Sequence, residues 1–426
     1  MRFDCLSAAD GLSFSLTKSI LQDQQGFMWF GTRYGLDKYD GSDFTVYLPG
    51  PSGDLMGGNY ILGLYQDRAG DLWMSTTIDL IRWDRKTGEF VHYQHDPANP
   101  NSLTLGTAYT IREDAAGTIW VGTYGGLNRY NPSTETFTRF YQGQPVFEIY
   151  TDRQGGIWSG TDRGLWYYSS GSLEQQDPVQ YQHDSADPSS LSSDLVVTIY
   201  EDRQGVIWVG TWDGGLNRFD AATGKFARFQ RDPEDPQSLS DEQVTSILED
   251  HAGRLWIGTD NGLNLLDRAT GRFSQYHFDP SNPQGLHNSV VNDIYQDRSG
   301  VIWIATLAGI CKVNETVSTF TFYQQGSNPV KGAVPSQSNL EAESQPAGGL
   351  DLRSPPRLSD NLITSVYQDR NGILWVGTSQ GGLNRLDRNT GQVTVYRNDP
   401  ADPTSISWGE VSAKYGDPIC ITTLFA

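Results

Sequence analysis

Apolar residues along this chain fall in short runs that never settle into a 3.6-residue period. The run Gln243–Glu249 (QVTSILE) is rich in β-branched and aliphatic residues, and Asp250-His251-Ala252-Gly253 closes it with a turn. Arg254–Thr259 (RLWIGT) reads as a second strand and Asp260-Asn261-Gly262 as the next turn. Leu263–Asp267 gives a third strand, Arg268–Gly271 a turn, and Phe273–His277 a fourth strand. Short apolar segments punctuated by Gly, Asn and Asp predict strands rather than helices.

This unit recurs. The pattern Asp-x-x-Gly-x-x-Trp stands at Asp23–Trp29, Asp67–Trp73, Asp114–Trp120, Asp152–Trp158, Asp202–Trp208, Asp250–Trp256, Asp297–Trp303 and Asp369–Trp375. Each Trp is followed three residues later by Thr: Thr32, Thr76, Thr123, Thr161, Thr211, Thr259, Thr306 and Thr378. Four strands repeated about every 45 residues make the blade of a β-propeller. The expected fold is therefore all-β, a propeller of four-stranded antiparallel blades. Seven blades are preferred, and eight are the alternative. In each unit Asp can accept from backbone N–H groups two residues on. Gly permits a positive φ, and Trp29, Trp73, Trp120, Trp158, Trp208, Trp256, Trp303 and Trp375 fill the space between twisted sheets. One isolated carboxylate per unit does not make an oxygen cage, so no metal and no cofactor are expected.

A second element links the units. His95-Asp96-Pro97-Ala98-Asn99-Pro100-Asn101-Ser102-Leu103 returns in related form at Asp184–Leu191, Asp232–Leu239, Asp279–Leu286 and Asp399–Ile406. Proline fixes φ and removes a donor, so these are ordered connections outside the strands.

The string D-x-x-G-x-[LI]-W-[IV]-G-T-x-x-G-G-L-N-R at Asp202–Arg218 and Asp369–Arg385 resembles the two-component regulator propeller repeat. So does the linker, and so does the opening Asp10-Gly11-Leu12 with Gly26–Thr32 and Tyr39-Asp40-Gly41. The resemblance covers residues 1 to about 410. It implies the sensor region of a hybrid histidine kinase, placed in the periplasm or outside the cell, where two seven-bladed propellers usually precede a β-sandwich, a membrane span and a kinase. This sequence carries no membrane span, kinase histidine motif or response-regulator domain, and no signal peptide is legible. A catalytic role is not expected.

The implied organisation is a seven-bladed propeller over 1–316, a strand at 317–323 that starts a second unit, and a disordered low-complexity insertion over 324–358. An eighth blade and a degenerate partial ninth repeat then fill 359–426. Arg2–Leu6 matches the fourth strand of a unit with no earlier strands before it, so it serves to complete the last blade and remove free edges. With seven blades its partner is Ile310–Val313, which sets Cys5 opposite Cys311. That placement allows a bridge if their Cα atoms lie within about 7 Å; the alternative is two buried thiols, or chance.

Recognition belongs on the loops between second and third strands, where residues vary on a repeated frame. The candidates are Arg33, Tyr34, Asp79, Tyr124, Asp162, Arg163, Trp212, Asp213, Asp260 and Asn261, and the same loop set includes Thr77-Ile78, Leu307-Ala308 and, in the eighth unit, Ser379-Gln380. Aromatics beside Asp, Asn and Arg suit a small polar ligand or an oligosaccharide. A protein-interaction scaffold is the alternative, a homodimer stays open, and a metal-dependent propeller lyase is a lesser alternative. The net charge of −20 over 426 residues argues against nucleic acid and anionic membrane partners. No apolar run reaches the roughly 18 residues of a membrane helix. Three distant cysteines offer no zinc spacing.

Overall fold

The computed structural model describes residues 2–48, 60–171, 173, 177–282, 284–313, 363–368, 373–378, 382–387 and 392–397. The chain divides into two compact units, Met1–Glu315 and Thr316–Ala426. The strand at 317–323, the insertion at 324–358, Ser379-Gln380 and the ninth repeat lie outside the described residues.

The first unit holds seven antiparallel sheets of four strands each. In blade 3 the strands are Ala108–Glu113, Ile119–Thr123, Gly126–Asn131 and Thr136–Phe140, hydrogen-bonded in sequence order. The first strands of the blades are Thr17–Gln22, Ile61–Gln66, Ala108–Glu113, Val146–Thr151, Val196–Glu201, Val244–Glu249 and Val291–Gln296. Each touches the first strand of the next blade, and the seventh touches the first. They form the inner wall of a closed ring. A three-residue 3₁₀ turn, Ala8–Asp10, is the only helical element among the described residues.

Closure uses the N-terminal strand as the sequence predicts. Asp4–Leu6 pairs with Gly309–Val313 and supplies the fourth strand of blade 7, with Cys5 facing Cys311. The ring thus closes on seven blades, and the eight-bladed alternative falls. The second unit contributes one four-stranded sheet: Ile363–Gln368, Leu374–Thr378, Gly382–Asp387 and Gln392–Tyr396.

The repeat motif works through one hydrogen bond. In all seven blades the indole Nε1 donates to the motif Asp Oδ2 at 2.8–2.9 Å. The other carboxylate oxygen accepts backbone N–H groups of the turn, as Asp202 does from Gln204 and Val206. The Asp therefore fixes the turn and satisfies the buried indole donor together. Gly253 follows at φ 81°, a conformation that an L side chain rarely adopts. The Gly of the Trp-x-Gly-Thr segment has a different task. A Cβ on Gly258 would stand 2.7 Å from Val291 Cγ1, so its absence lets the next inner strand approach. The seven ring tryptophans are buried to 5% exposure or less, between blades.

The linkers are pinned from outside. Arg228 on an outer strand donates to the carbonyls of Asp187, Ser190 and Leu191, and Arg139 repeats this on Asn99, Ser102 and Leu103. His95 and His183 each place Nδ1 2.9 Å from a linker carbonyl, so both are structural.

Candidate functional site

Because each sheet is antiparallel, the loops between second and third strands gather at one mouth of the ring. They are tied to the starts of the inner strands there. Arg33 N–H donates to Leu16, Tyr124 to Thr107, Trp212 to Leu195 and Asp260 to Gln243, each at the backbone carbonyl.

Beneath the loops lies a repeated buried polar lock. In blade 6, Asn264 Oδ1 accepts from Ser240 N at 3.1 Å, and its Nδ2 donates to Ser240 Oγ at 2.8 Å and Ile257 O at 3.3 Å. Ser240 Oγ lies 2.8 Å from Thr259 Oγ1, which donates to Gly262 O. Blades 3 and 5 use Thr104, Thr123, Asn128 and Ser192, Thr211, Asn217 in the same way. Linker, second strand and third strand thus meet at one satisfied network, which makes the loop a rigid platform. Two blades vary it. Blade 1 has Asp37 in the Asn position, taking Ser13 N–H and Oγ, and burial pushes its carboxyl up to about 6. Blade 7 has His287 and Cys311 in the Ser and Asn positions.

Most of the predicted mouth residues stand at the surface. Arg33, Tyr34, Tyr124, Asp162, Arg163, Trp212, Asp213, Asp260 and Asn261 are exposed; the three aromatics are 50%, 57% and 49% accessible. Asp162 accepts from Gln144 and Asp213 from Ser193, so both carboxylates are oriented. Asp79 is different: it is fully buried, with Thr76 Oγ1 at 2.7 Å and His92 Nδ1 at 2.9 Å. Counted from the Thr, Asp79 occupies the place Gly126 has in blade 3, inside the hairpin. The exposed tip of that loop is Thr77-Ile78.

Ile78 and Leu307, in the loop set read from the sequence, are exposed apolar side chains at the same mouth, and the structure adds Leu105, which the sequence did not single out. Below the mouth, the inner strands carry partly buried charge. Lys18 Nζ donates to Asn292 Oδ1 at 3.2 Å, and burial pulls its pKa down against the attraction of Asp293 and Asp260. Asp293 accepts Ile20 N–H at 2.9 Å, and burial pushes its carboxyl up to about 7. Arg112 pairs with Glu148 at 2.8 Å, and burial raises the Glu148 pKa. Their signal was a charged residue within an inner strand. A bulge near the start of each inner strand obscures which face such a residue takes.

One donor group suited to a metal occurs among the described residues: Cys5, His287 and Cys311, with ligand atoms within 4.8 Å of one another. The two cysteines are joined as a disulfide, Cα atoms 3.9 Å apart. Bonded sulfurs are not thiolate ligands, so this oxidised site is a covalent clasp. Among the described residues, no helix is long and apolar enough to cross a membrane.

The two component regulator propeller family matches residues 11–34, 55–77, 102–125, 190–213, 238–261, 285–308 and 357–380. Six matches fall in the ring, one per blade except blade 4; the seventh lies in the second unit. No curated protein matches the chain. Among solved structures, the chain is similar to the extracellular domain of BT3049 from B. thetaiotaomicron, a protein named as a hybrid two component system. The TM-score is 0.63 at 23% identity, covering 93% of this chain and 55% of that one. The extracellular domain of BT4673 from the same organism gives 0.59 at 23% identity, covering 93% and 53%. Virginiamycin B lyase from Staphylococcus aureus gives 0.54 at 15% identity, covering 73% and 98%. At these identities the likeness is one of fold, and the chain spans about half the length of the two extracellular domains. The chain is thus built on the two-component regulator propeller repeat, matched in six blades of the ring and once in the second unit.

Proposed function

We propose that the ring is a ligand-binding input module of a two-component sensor, placed outside the cytoplasm, and that its ligand is an oligosaccharide held at the mouth. One observation carries this reading. Tyr34, Tyr124 and Trp212 stand half exposed on loops fixed from below, and the same set of loops carries the oriented carboxylates of Asp162 and Asp213. Flat aromatic faces with fixed polar neighbours suit sugar rings, through stacking and hydrogen bonds. The disulfide supports an oxidising compartment, and the extracellular domains of similar fold support a sensor context. The signalling region belongs to the part of such proteins that this chain does not span.

A second reading has its own support. Ile78, Leu105 and Leu307 add exposed apolar surface at the mouth, which suits a protein partner. Screening the chain against immobilised oligosaccharides separates the two. Selective binding to a set of related glycans is expected. A chain that retains no glycan, yet forms a complex through this face, would move the assignment to a protein partner.

A further inference from the structure

The blade interfaces repeat a second construction at the opposite end of the ring, beside the Asp-x-x-Gly turns. Between blades 5 and 6, Arg268 inserts its guanidinium into the joint. Nη1 lies 3.1 Å from Asp202 Oδ2, Nη2 lies 3.0 Å from Glu249 Oε1, and the guanidinium carbon is 6.0 Å from the Trp208 ring centre. Arg85 takes the same place between blades 1 and 2, with Nη1 3.8 Å from Asp23 Oδ2. A planar fork between two carboxylates, against an indole, is the geometry that guanidinium favours.

Blade 5 lacks this arginine. The stretch Asp267-Arg268-Ala269-Thr270-Gly271 aligns with Asp220-Ala221-Ala222-Thr223-Gly224, so Ala221 stands where Arg268 would. The receiving groups remain. Asp152 and Trp158 correspond to Asp202 and Trp208, and Glu201 corresponds to Glu249. The result is a cleft of about 530 Å³ between blades 4 and 5, lined by Asp152, Trp158, Tyr167, Tyr181 and Glu201, with Arg218 and Asp220 also in its wall. Asp152 Oδ2 takes Trp158 Nε1 at 2.9 Å, and Glu201 Oε2 takes Arg153 N–H at 3.1 Å. The sister carboxylates make these same two bonds while also holding Arg268. Arg153 Nε also stands 3.7 Å from Glu201 Oε1, a long contact from a mostly exposed side chain, so a guanidinium in the slot would share that carboxylate with Arg153 while Asp152 takes it as Asp202 takes Arg268.

The neighbouring cleft between blades 3 and 4 sharpens the case. It also follows loss of the arginine, with Ser170 in its place, and measures about 420 Å³. There Thr151 replaces the second carboxylate, and Arg129 already lies 6.0 Å from the Trp120 ring. The joint between blades 2 and 3 also lacks the arginine, with Pro132 in its place, and keeps Asp67 and Glu113, but there Arg82 stands 5.8 Å from the Trp73 ring. Between blades 4 and 5 the missing arginine and both carboxylates coincide with Tyr167, not a cation, 4.4 Å from Trp158.

We propose that this cleft is a binding slot for a guanidinium group supplied from outside the chain, on a free guanidino compound or on an arginine side chain of a peptide. The slot lies away from the mouth, so its test stands or falls independently of the oligosaccharide reading.

Agmatine titrated into the full chain, read by calorimetry, is the direct probe. Binding is expected in the wild type. Ala221→Arg should fill the slot and weaken agmatine binding by about tenfold or more, with an unfolding temperature no lower than the wild type. Arg268→Ala should open the sister slot and add a second class of site. A response to agmatine but not to an end-blocked arginine peptide assigns the slot to free compounds. A response to both assigns it to arginine side chains as well. Absence of agmatine binding in the wild type, or undiminished binding in a folded Ala221→Arg variant, overturns the proposal.

Discussion

Cys5 and Cys311 face each other across the first and last strands of the ring, with Cα atoms 3.9 Å apart and a disulfide between them. They lie 306 residues apart in sequence, so the bond clasps the closure of the whole ring. A cross-link over a long loop removes much freedom from the unfolded chain, worth roughly 5–6 kcal/mol by chain-entropy reasoning. Cys5→Ser or Cys311→Ser should therefore lower the unfolding temperature markedly. A dithiol reductant should lower that of the wild type and leave the Ser variants unmoved. Differential scanning calorimetry with and without reductant checks both.

Asp37 gives a pH prediction. Its carboxyl titrates near 6 in the fold against an ordinary 3.8, so it holds its proton more tightly folded than unfolded. Stability therefore falls as pH rises through the window from 3.8 to about 6, and the full cost of burying the charge applies above it. Asp37→Asn restores the residue used in blades 3, 5 and 6 and removes that cost. The variant should be more stable at pH 7–8, on the order of 1–3 kcal/mol, and its pH slope in the acid window should shrink. Urea unfolding at several pH values measures the difference.

The polar lock predicts a local effect. Asn264→Ala leaves the buried Ser240 N–H without its acceptor and the Ser240 hydroxyl without its donor. The loss should be about 1–3 kcal/mol. Amide exchange across Asp260–Gly262 should accelerate more than exchange in blade 3, which keeps its own lock. Equal acceleration in both blades would mean that the lock does not act locally.

The sequence made the framework legible because one piece of local chemistry recurs in every blade. Trp208 with Asp202, or Trp256 with Asp250, is a motif pair six residues apart whose bond needs nothing from elsewhere in the chain. Closure was legible for a similar reason, since Phe3 and Leu6 carry the fourth-strand pattern with no sheet of their own before them. The position of Asp79 was not. A carboxylate in a variable loop reads as exposed, and only the hairpin geometry and His92 on the fourth strand of the blade turn it inward. Lys18 and Asp293 were hidden because they come together only where the ring closes, more than 270 residues apart in the chain. The slot beside Ala221 needed coordinates as well. A missing side chain is informative only when the groups that would have received it are seen to remain.

The central claim is that the mouth, through its aromatics, does the recognising. Calorimetric titration with the best-binding oligosaccharide from the glycan screen tests it directly, comparing the wild type with the double variant Trp212→Ala and Tyr124→Ala. Both side chains project from the surface, so the fold should be unaffected. Loss of stacking should raise Kd by about tenfold or more at an unchanged unfolding temperature. An unchanged Kd in the folded double variant would contradict the account and place recognition elsewhere on the ring.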